Sequence, residues 1–299
     1  MTKRAVIVGV DDYSVQGVGS LSMCVRDARA FYHLLIDAFL FEPENILTYL
    51  DLAADSATIL HALRSCVARS EPGDVLCFYY SGHGARLPHP KIAGQFYETI
   101  IPAQGQWISD HDLFLIADGL QPSHVNFTCI FDSCHSGGMS LEAQAKSPPA
   151  EQTLIQRMID TMTSLIPCGV LLSPAERQAC ANNVSNPRLD NGKIDLDLDP
   201  NFTTIQQAKT TLIAGCRSDE LSYIGKGPIK NSLLTAALLE LVNQSNFEID
   251  HRSLCNELIT KTAGYLTAHF APGTKQTPQL IGQHNRMEEN FLQGFTDSR

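Results

Sequence analysis

The sequence lacks any apolar run long enough to cross a membrane. Its longest apolar stretches, such as Ala5 to Val10 and Val75 to Tyr80, fall far short of the roughly 18 residues that a spanning helix requires. The start of the chain is also unlike a secretory signal, because its first apolar run is too short and ends at a pair of aspartates. We therefore expect no membrane partner and a mature chain that begins at Met1.

Positive charge is also scarce. The 22 Lys and Arg residues are outnumbered by 32 Asp and Glu residues, so the formal net charge is −10. Binding to nucleic acid requires a basic stripe that displaces counterions from phosphates, and this sequence has none. We expect no nucleic-acid partner. A hydrophobic content of 43% and a charged content of 18% indicate a folded protein rather than a disordered one.

The nine cysteines form neither a zinc-binding pattern nor a disulfide framework. Their number is odd, no Cys-x-x-Cys pair is present, and the closest two are Cys129 and Cys134. Most of them lie in apolar runs, where free cysteine usually acts as a small buried hydrophobic residue. These features favour a reducing, cytoplasmic setting and indicate no metal or cofactor.

Apolar β-branched runs alternate with stretches of helical periodicity along much of the chain. This order predicts right-handed βαβ crossovers and an α/β fold with a mostly parallel sheet. Strands are predicted at Ala5 to Val10, Ile46 to Leu50, Val75 to Tyr80, Thr99 to Ile101, Asn126 to Phe131 and Thr211 to Gly215. Helices are predicted at Val25 to Phe41, Asp55 to Arg69, Asp110 to Leu120, Ser232 to Val242 and His251 to His269, and the stretch Gln276 to Gly282 closes the fold.

The composition changes between residues 139 and 209. This stretch is rich in Pro, Ser, Asn and Gln, and we interpret it as a partly mobile insertion between residues 1–138 and 210–299, which together form one domain. Three alternating acids in the insertion, Asp195, Asp197 and Asp199, lack the turn glycine of an EF-hand. A solvated acidic loop is therefore favoured over a cation site.

A histidine and a cysteine follow two of the predicted strands. His83 lies in Ser81-Gly-His-Gly84 and Cys134 lies in Asp132-Ser-Cys-His-Ser-Gly137. Functional residues of α/β sheets collect at the carboxyl ends of strands, so a Cys–His dyad is within reach. A neighbouring imidazole raises the thiolate fraction of a cysteine, and the flanking glycines allow the amides of Gly84 and Cys134 to form an oxyanion hole. Alone, either residue would more often be an ordinary loop residue, but the matching positions outweigh that alternative.

The two motifs resemble those of a known family. Tyr79-Tyr-Ser-Gly-His-Gly84 and Asp132-Ser-Cys-His-Ser-Gly137 are similar to motifs of the caspase-like cysteine peptidases, in particular the metacaspase and bacterial orthocaspase branch. The separation of 51 residues between His83 and Cys134 also agrees with the spacing in caspases. Further support comes from Val8-Gly-Val-Asp-Asp-Tyr13, Cys24-Val-Arg-Asp27, Cys216-Arg-Ser-Asp-Glu220 and Gln276-Thr-Pro-Gln279.

The resemblance implies a fold and a reaction. The expected architecture is a caspase-like fold with helices on both faces of the sheet, in which residues 1–138 are large-subunit-like (p20-like) and residues 210–299 are small-subunit-like (p10-like). The implied activity is that of a cysteine endopeptidase with His83 as acid/base and Cys134 as nucleophile. A non-catalytic, peptide-binding scaffold and a peptidase with non-basic specificity are the alternatives.

The resemblance also implies a substrate pocket. Cys24, Asp27, Ser81 and Asp132 match positions that line the S1 pocket. Paired carboxylates in such a pocket recognise guanidinium or ammonium groups, so we predict protein or peptide substrates cleaved after Arg, and also after Lys. An exposed helix carboxylate for Asp27 and a strand-end cap for Asp132 are the structural alternatives.

The sequence departs from the family in its calcium site. Many metacaspases have four acidic ligands there, and the matching stretch of this chain is Ile108 to Asp112, in which His111 replaces one acid and Asp110 is kept. Tyr97 and Leu141 occupy the other two positions. Because calcium requires six to eight oxygen ligands, we predict calcium-independent activity.

Regulation is predicted to lie in the insertion or in a partner. No segment before the first strand offers a recruitment domain, so control is expected from self-cleavage or from an activating protein or ligand. Metacaspases are typically monomeric, which implies a monomer here. The candidate self-cleavage sites are Lys146, Arg157, Arg177, Arg188 and Lys193.

Overall fold

A computed structural model describes residues 1–86, 96–120, 124–133, 209–217, 219–245 and 247–294, and the backbone alone of residues 87–88, 188–190 and 193–195. The strands in this part of the chain are β1 (Lys3–Gly9), β2 (Ile46–Leu50), β3 (Val75–Ser81), β4 (Gly84–Pro88), β5 (Phe96–Ile100), β6 (Ile108–Ser109), β7 (Asn126–Asp132), β8 (Arg188–Asp190), β9 (Lys193–Asp195), β10 (Thr211–Ala214) and β11 (Gln279–Gly282).

The helices alternate with the strands along the chain, as a βαβ pattern requires. They are α1 (Cys24–Asp37), α2 (Ser56–Ala68), α3 (Asp110–Asp118), α4 (Leu233–Gln244), α5 (His251–His269) and the short α6 (His284–Met287), with 3-10 turns at Pro43–Asn45 and Asp51–Ala53. Of the two candidate caps at the start of α2, Asp55 and Ser56, it is Asp55 that caps the helix, because its carboxylate accepts a hydrogen bond from the Ala57 amide at 2.9 Å.

The central sheet of the described residues has six strands in the order β11-β10-β7-β3-β1-β2. All pairs are parallel except β10 with β11, so the predicted mostly parallel sheet is confirmed. Every residue of β3 and β7 is buried, as expected of central strands covered on both faces. Because β10 pairs with β7, the C-terminal part of the chain extends the same sheet as the N-terminal part.

Helices cover both faces of this sheet, as the resemblance implied. One apolar core lies beneath α2 and α3 and includes Ile59 and Leu113. The other lies beneath α1, α4 and α5 and includes Phe31, Leu238 and Leu258. Burial of these two layers is the main favourable contribution to folding.

The end of α1 and the following small sheet differ from the predictions. The periodic apolar pattern continues to Phe41, but the helix ends at Asp37, and Leu40 is exposed with a left-handed φ of 55°. Phe39 and Phe41 are buried although they lie beyond the helix, because the irregular chain packs them against the core. The antiparallel sheet β4-β5-β6 was predicted only in part, since Gly84 begins a strand directly after His83.

Most of the predicted insertion lies outside the described residues, and so do Lys146, Arg157 and Arg177. Arg188 and Lys193 belong to the antiparallel pair β8 and β9, of which the backbone alone is described. Within the described residues, no helix is both long enough and apolar enough to span a membrane.

A buried histidine ties the C-terminal segment to the central sheet. The imidazole of His251 contacts the Thr128 hydroxyl through Nε2 at 2.8 Å and the Glu289 carbonyl oxygen through Nδ1 at 2.7 Å. Since a carbonyl oxygen only accepts hydrogen bonds, Nδ1 carries a proton and, in the neutral ring, Nε2 is an acceptor. Burial lowers the pKa of His251 from 6.5 to about 4.

This burial predicts an acid-sensitive fold. Between about pH 6.5 and pH 4 the unfolded chain binds a proton at His251 that the folded chain does not, so the contribution of His251 to the free energy of unfolding falls by about 3 kcal/mol over that range. In His251→Asn this contribution is absent. Urea denaturation at several pH values measures the difference between wild type and variant, and a difference that stays constant with pH would contradict the prediction.

Candidate active site

The carboxyl ends of β3 and β7 meet at one edge of the sheet. Ser81 lies opposite Asp132 in the parallel register, and the Gly82 amide donates to the Asp132 carbonyl oxygen at 3.4 Å. His83 and Cys134 are each the second residue after this pair in the sequence. Cys134 itself lies outside the described residues, so its pairing with His83 stays a prediction.

His83 is held on both its backbone and its ring. Its amide donates to the Tyr13 hydroxyl at 2.7 Å, and its imidazole lies against the Tyr13 ring with 4.6 Å between centroids. Its Nε2 lies 2.7 Å from the carbonyl oxygen of Gly19. Because this oxygen only accepts, we assign the proton of the neutral imidazole to Nε2, which makes Nδ1 the basic nitrogen.

The backbone at Gly84 presents its amide away from β5. Antiparallel neighbours alternate between hydrogen-bonded and non-hydrogen-bonded pairs. The Ile101 amide donates to the His83 carbonyl oxygen at 3.0 Å, which makes the adjacent pair of Gly84 and Ile100 the non-hydrogen-bonded kind. The amide of Gly84 is therefore not used by this strand pair, as an oxyanion-hole donor requires.

The first predicted pocket carboxylate, Asp27, is fully buried in the first turn of α1. One of its oxygens accepts hydrogen bonds from the Asn231 side chain at 2.8 Å and the Ser232 amide at 3.0 Å. The other accepts from the Ser81 hydroxyl at 3.2 Å. Asp27 is thus no exposed helix carboxylate, and it faces the start of α4.

The second carboxylate, Asp132, is also fully buried. It accepts a hydrogen bond from the Ser222 hydroxyl at 2.7 Å, and from the Thr235 amide and hydroxyl at 3.1 and 2.7 Å. Thr235 lies in the first turn of α4, so Asp132 does cap a helix, although that helix belongs to the far end of the sequence. Both carboxylates therefore lie at the positive N-terminus of α4, which stabilises negative charge.

Tyr79 lies close to both carboxylates. Its hydroxyl donates to the Thr235 hydroxyl oxygen at 2.6 Å, and its ring stacks on Phe31 with 4.3 Å between centroids. Burial raises the pKa of Tyr79 well above its usual value, and the charges of Asp27 and Asp132 raise it further. The structure thus brings together the predicted pocket residues: Ser81 bonds Asp27 and is the strand neighbour of Asp132, and buried Cys24 lies one helical turn before Asp27.

Asp11 fixes the start of α1. Its carboxylate accepts hydrogen bonds from the amides of Cys24 at 2.9 Å and Val25 at 3.3 Å. A side chain at Gly9 would come within 2.6 Å of the Cys24 carbonyl oxygen, so glycine allows β1 to approach this turn. Burial and the charge of Asp51 raise the pKa of Asp11. The sequence analysis assigned no role to Asp11, although it lies directly after a strand and within the motif Val8-Gly-Val-Asp-Asp-Tyr13.

Two C-terminal motifs meet behind Asp132. The Gln276 side chain donates to the Gly215 carbonyl oxygen at 3.1 Å and accepts from the Tyr223 amide at 2.9 Å. Glu220 accepts from the Thr277 hydroxyl at 3.0 Å. The prediction identified both motifs but missed the donors that bind the pocket carboxylates, which are single polar residues without a surrounding pattern: Ser222, Asn231, Ser232 and Thr235.

Three of the four positions that the resemblance assigns to a calcium site lie in the described residues, and calcium independence stays a prediction. One Asp110 carboxylate oxygen is buried and has no hydrogen-bond partner in the described part of the chain. Burial, and then the charge of Glu98, raise the pKa of Asp110 well above its usual value. His111 stacks on Phe114 at 6.3 Å. Across the described ranges, no three His, Cys, Asp or Glu side chains are grouped to hold a metal ion. Leu141 lies outside these ranges.

Comparisons with known sequences identify proteins that are similar to this chain. A family model described as metacaspase, peptidase C14 domain matches residues 3–142. Metacaspase-4 of Arabidopsis thaliana is 36% identical over 152 residues, which cover 48% of this chain and 36% of that protein. Metacaspase-9 of Arabidopsis thaliana is 33% identical over 174 residues, which cover 55% and 53%. The chain thus spans about a third to a half of the length of these relatives.

Solved structures extend the likeness to the whole fold. A protein from Geobacter sulfurreducens aligns over 99% of this chain and 100% of its own, with a TM-score of 0.63 and 19% identity. Caspase-1 from Spodoptera frugiperda aligns over 94% and 86%, with a TM-score of 0.51 and 12% identity.

The sheet order and the strand-end site define a protein with a caspase-like α/β fold. Within that class, residues 3–142, which carry both motifs, match the family model of the metacaspase, peptidase C14 domain and are similar to the metacaspases of Arabidopsis thaliana.

The cap at α1 predicts an effect on stability. Asp11→Ala removes two hydrogen bonds to helix amides, and we expect the free energy of unfolding to fall by about 1 to 2 kcal/mol. The matched control is Asp12→Ala, because the Asp12 carboxylate bonds the Ser14 amide within the same turn and does not cap the helix. Urea denaturation compares the two variants. Equal losses would show that Asp11 is not a special cap.

Proposed function

We propose that this protein is a cysteine endopeptidase that cleaves protein or peptide substrates after Arg, and also after Lys. Cys134 is the nucleophile and His83 is the acid/base. The observation that carries the proposal is the pairing of Ser81 with Asp132, from which both residues of the dyad follow at the same distance in sequence. The contact between His83 Nε2 and the Gly19 carbonyl oxygen supports it, because it leaves Nδ1 free of a proton in the neutral ring.

The reaction proceeds through an acyl-enzyme. His83 Nδ1 takes the thiol proton of Cys134, and the thiolate attacks the carbonyl carbon of the scissile bond. The amides of Gly84 and Cys134 donate to the oxyanion that forms. His83 then gives its proton to the leaving amine as the C–N bond breaks. Water, deprotonated by His83, hydrolyses the thioester and releases the acid product.

Charge in the S1 pocket determines the specificity. Asp27 and Asp132 are both fully buried, and buried charges interact more strongly than exposed ones because the local dielectric is low. A guanidinium or ammonium group at P1 complements two carboxylates, whereas a P1 aspartate is repelled. The neutral donors from Ser81 and from the start of α4 hold the two carboxylates without cancelling their charge.

The remaining properties come from the departures at the calcium site, from the cysteine pattern and from the resemblance to the family. We expect activity without calcium and without another cofactor, from a monomer in the cytoplasm. We expect control by self-cleavage after Lys146, Arg157, Arg177, Arg188 or Lys193, or by an activating protein or ligand that binds the chain.

A panel of fluorogenic peptides tests the reaction. Peptides with Arg, Lys, Asp or a neutral residue at P1 are compared, and we expect turnover of the Arg and Lys peptides alone. Cys134→Ala and His83→Ala each lower kcat/KM at least about 10³-fold, because the dyad acts as a unit. Asp27→Asn lowers kcat/KM for the Arg peptide about tenfold, since one charge of the pocket is lost.

The panel separates the alternatives. Cleavage after Asp or a neutral residue would contradict the specificity, and loss of turnover in a chelator would contradict calcium independence. Folded protein that cuts no peptide would favour a peptide-binding scaffold. Turnover that survives Cys134→Ala would remove Cys134 from the mechanism.

Wild type and Cys134→Ala also test self-cleavage. Wild type held at room temperature is expected to yield fragments that end at one or more of the five basic residues of the insertion, as identified by mass spectrometry. Cys134→Ala stays intact under the same conditions. Identical intact bands for both proteins after prolonged incubation would contradict self-cleavage.

A further inference from the structure

Two buried tyrosines surround the backbone of His83. Tyr13 follows β1 and Tyr80 lies near the end of β3, and neither side chain is exposed. The hydroxyl of Tyr13 accepts a hydrogen bond from the His83 amide at 2.7 Å. The hydroxyl of Tyr80 donates to the His83 carbonyl oxygen at 2.6 Å. The two hydroxyls lie 3.1 Å apart.

The available protons give these contacts a direction. Each tyrosine hydroxyl has one proton. The Tyr80 hydroxyl donates its proton to the carbonyl oxygen of His83 or to that of Ile101, which lies 2.8 Å from the hydroxyl oxygen. The proton of Tyr13 is therefore the one shared between the hydroxyls. The order is His83 N–H to Tyr13, Tyr13 O–H to Tyr80 and Tyr80 O–H to the His83 carbonyl, which closes a ring around one residue.

This arrangement of the two tyrosine hydroxyls requires a glycine at position 82. A side-chain carbon at Gly82 would come within 2.4 Å of both tyrosine hydroxyls. Such a contact is far below van der Waals distance, so the two hydroxyls reach His83 only because residue 82 is glycine. The glycine before the histidine therefore has a physical role: it makes room for the ring of hydrogen bonds.

Tyr13 also organises the loop that binds the imidazole. Its carbonyl oxygen accepts hydrogen bonds from the amides of Gln16 at 3.0 Å and Gly17 at 3.1 Å. This turn leads to Gly19, whose carbonyl oxygen contacts His83 Nε2. One residue thus bonds the backbone of His83 with its hydroxyl and shapes the loop that orients the ring.

We propose that Tyr13 and Tyr80 are positioning residues that hold His83 in its catalytic orientation through this closed ring of hydrogen bonds. The inference rests on the proposed function, because it assigns a task that matters only if His83 acts on Cys134. Misplacement of a catalytic group by about 1 Å can lower a rate 10²-fold, so the effect belongs in kcat rather than in substrate binding.

Three variants test the ring. Tyr13→Phe leaves the partly buried His83 amide without the Tyr13 acceptor, and we expect kcat for the Arg peptide to fall about 10- to 100-fold with KM within about threefold. Tyr80→Phe has a smaller effect, since the His83 carbonyl oxygen keeps the Ile101 amide at 3.0 Å. The double variant costs about as much as Tyr13→Phe alone, because either change already opens the ring.

A second readout does not depend on turnover. Iodoacetamide alkylation of Cys134, followed by mass spectrometry against pH, reports the thiolate. The described cysteines are buried and serve as internal references. If His83 acts on Cys134, the alkylation profile of wild type lies below the ordinary thiol pKa of about 8.5, and in Tyr13→Phe we expect the profile to move toward that value. A merely structural tyrosine would not shift this profile.

The matched control is Tyr265→Phe on α5. It also removes a tyrosine hydroxyl hydrogen bond, to Glu240 at 2.7 Å, but this bond joins α5 to α4 and does not involve His83. We expect its kcat and its alkylation profile to equal those of wild type. Thermal melts show whether each variant folds. If Tyr13→Phe does not fold, kcat and the alkylation profile of Tyr80→Phe test the inference instead.

The outcomes separate this inference from the proposed function. If wild type is active and the folded tyrosine variants keep its kcat and alkylation profile, the inference alone is overturned. The same holds if the fold-losses of kcat in the two single variants multiply in the double variant. Wild type that cuts no peptide and whose Cys134 alkylation is insensitive to His83→Ala overturns both.

Discussion

The parallel pairing of β3 with β7 is the constraint on which the site depends. Its register places Ser81 beside Asp132, and every proposed role in the reaction is measured from that pair. The pairing is possible because both strands are apolar throughout and buried on both faces between two helical layers. A shift of one residue would turn each side chain to the opposite face of the sheet, so the apolar core that stabilises the fold also sets the chemistry at its edge.

Two carboxylates at that edge must remain buried without destabilising the protein. An isolated ionised carboxylate in an apolar interior is strongly unfavourable unless hydrogen bonds compensate for the lost water. The N-terminus of α4 provides this compensation through the amides of Ser232 and Thr235. This helix lies beyond the matched family segment of residues 3–142. The C-terminal part of the chain therefore completes a site whose charged residues come from the N-terminal part.

Much of this arrangement was predictable, and the failures have physical causes. The central strands and α5 were predicted because long apolar runs and helical periodicity are local signals. The end of α1 was misjudged because tertiary packing buries Phe39 and Phe41 beyond the helix. The C-terminal partners of Asp27 were not predictable, because Asn231 is about two hundred positions away and a single polar residue in a loop has no pattern.

By itself the sequence determined most strands of the central sheet, the motifs at the strand ends and the similarity of residues 3–142 to the metacaspases. These properties are local, since each depends on residues within one turn, one strand or one motif. Only the tertiary structure decided which residues bind Asp27 and Asp132, which nitrogen of His83 contacts the Gly19 carbonyl oxygen and how Tyr13 and Tyr80 enclose the His83 backbone. Such contacts depend on distance and direction between distant segments, and the packed core alone brings those segments together.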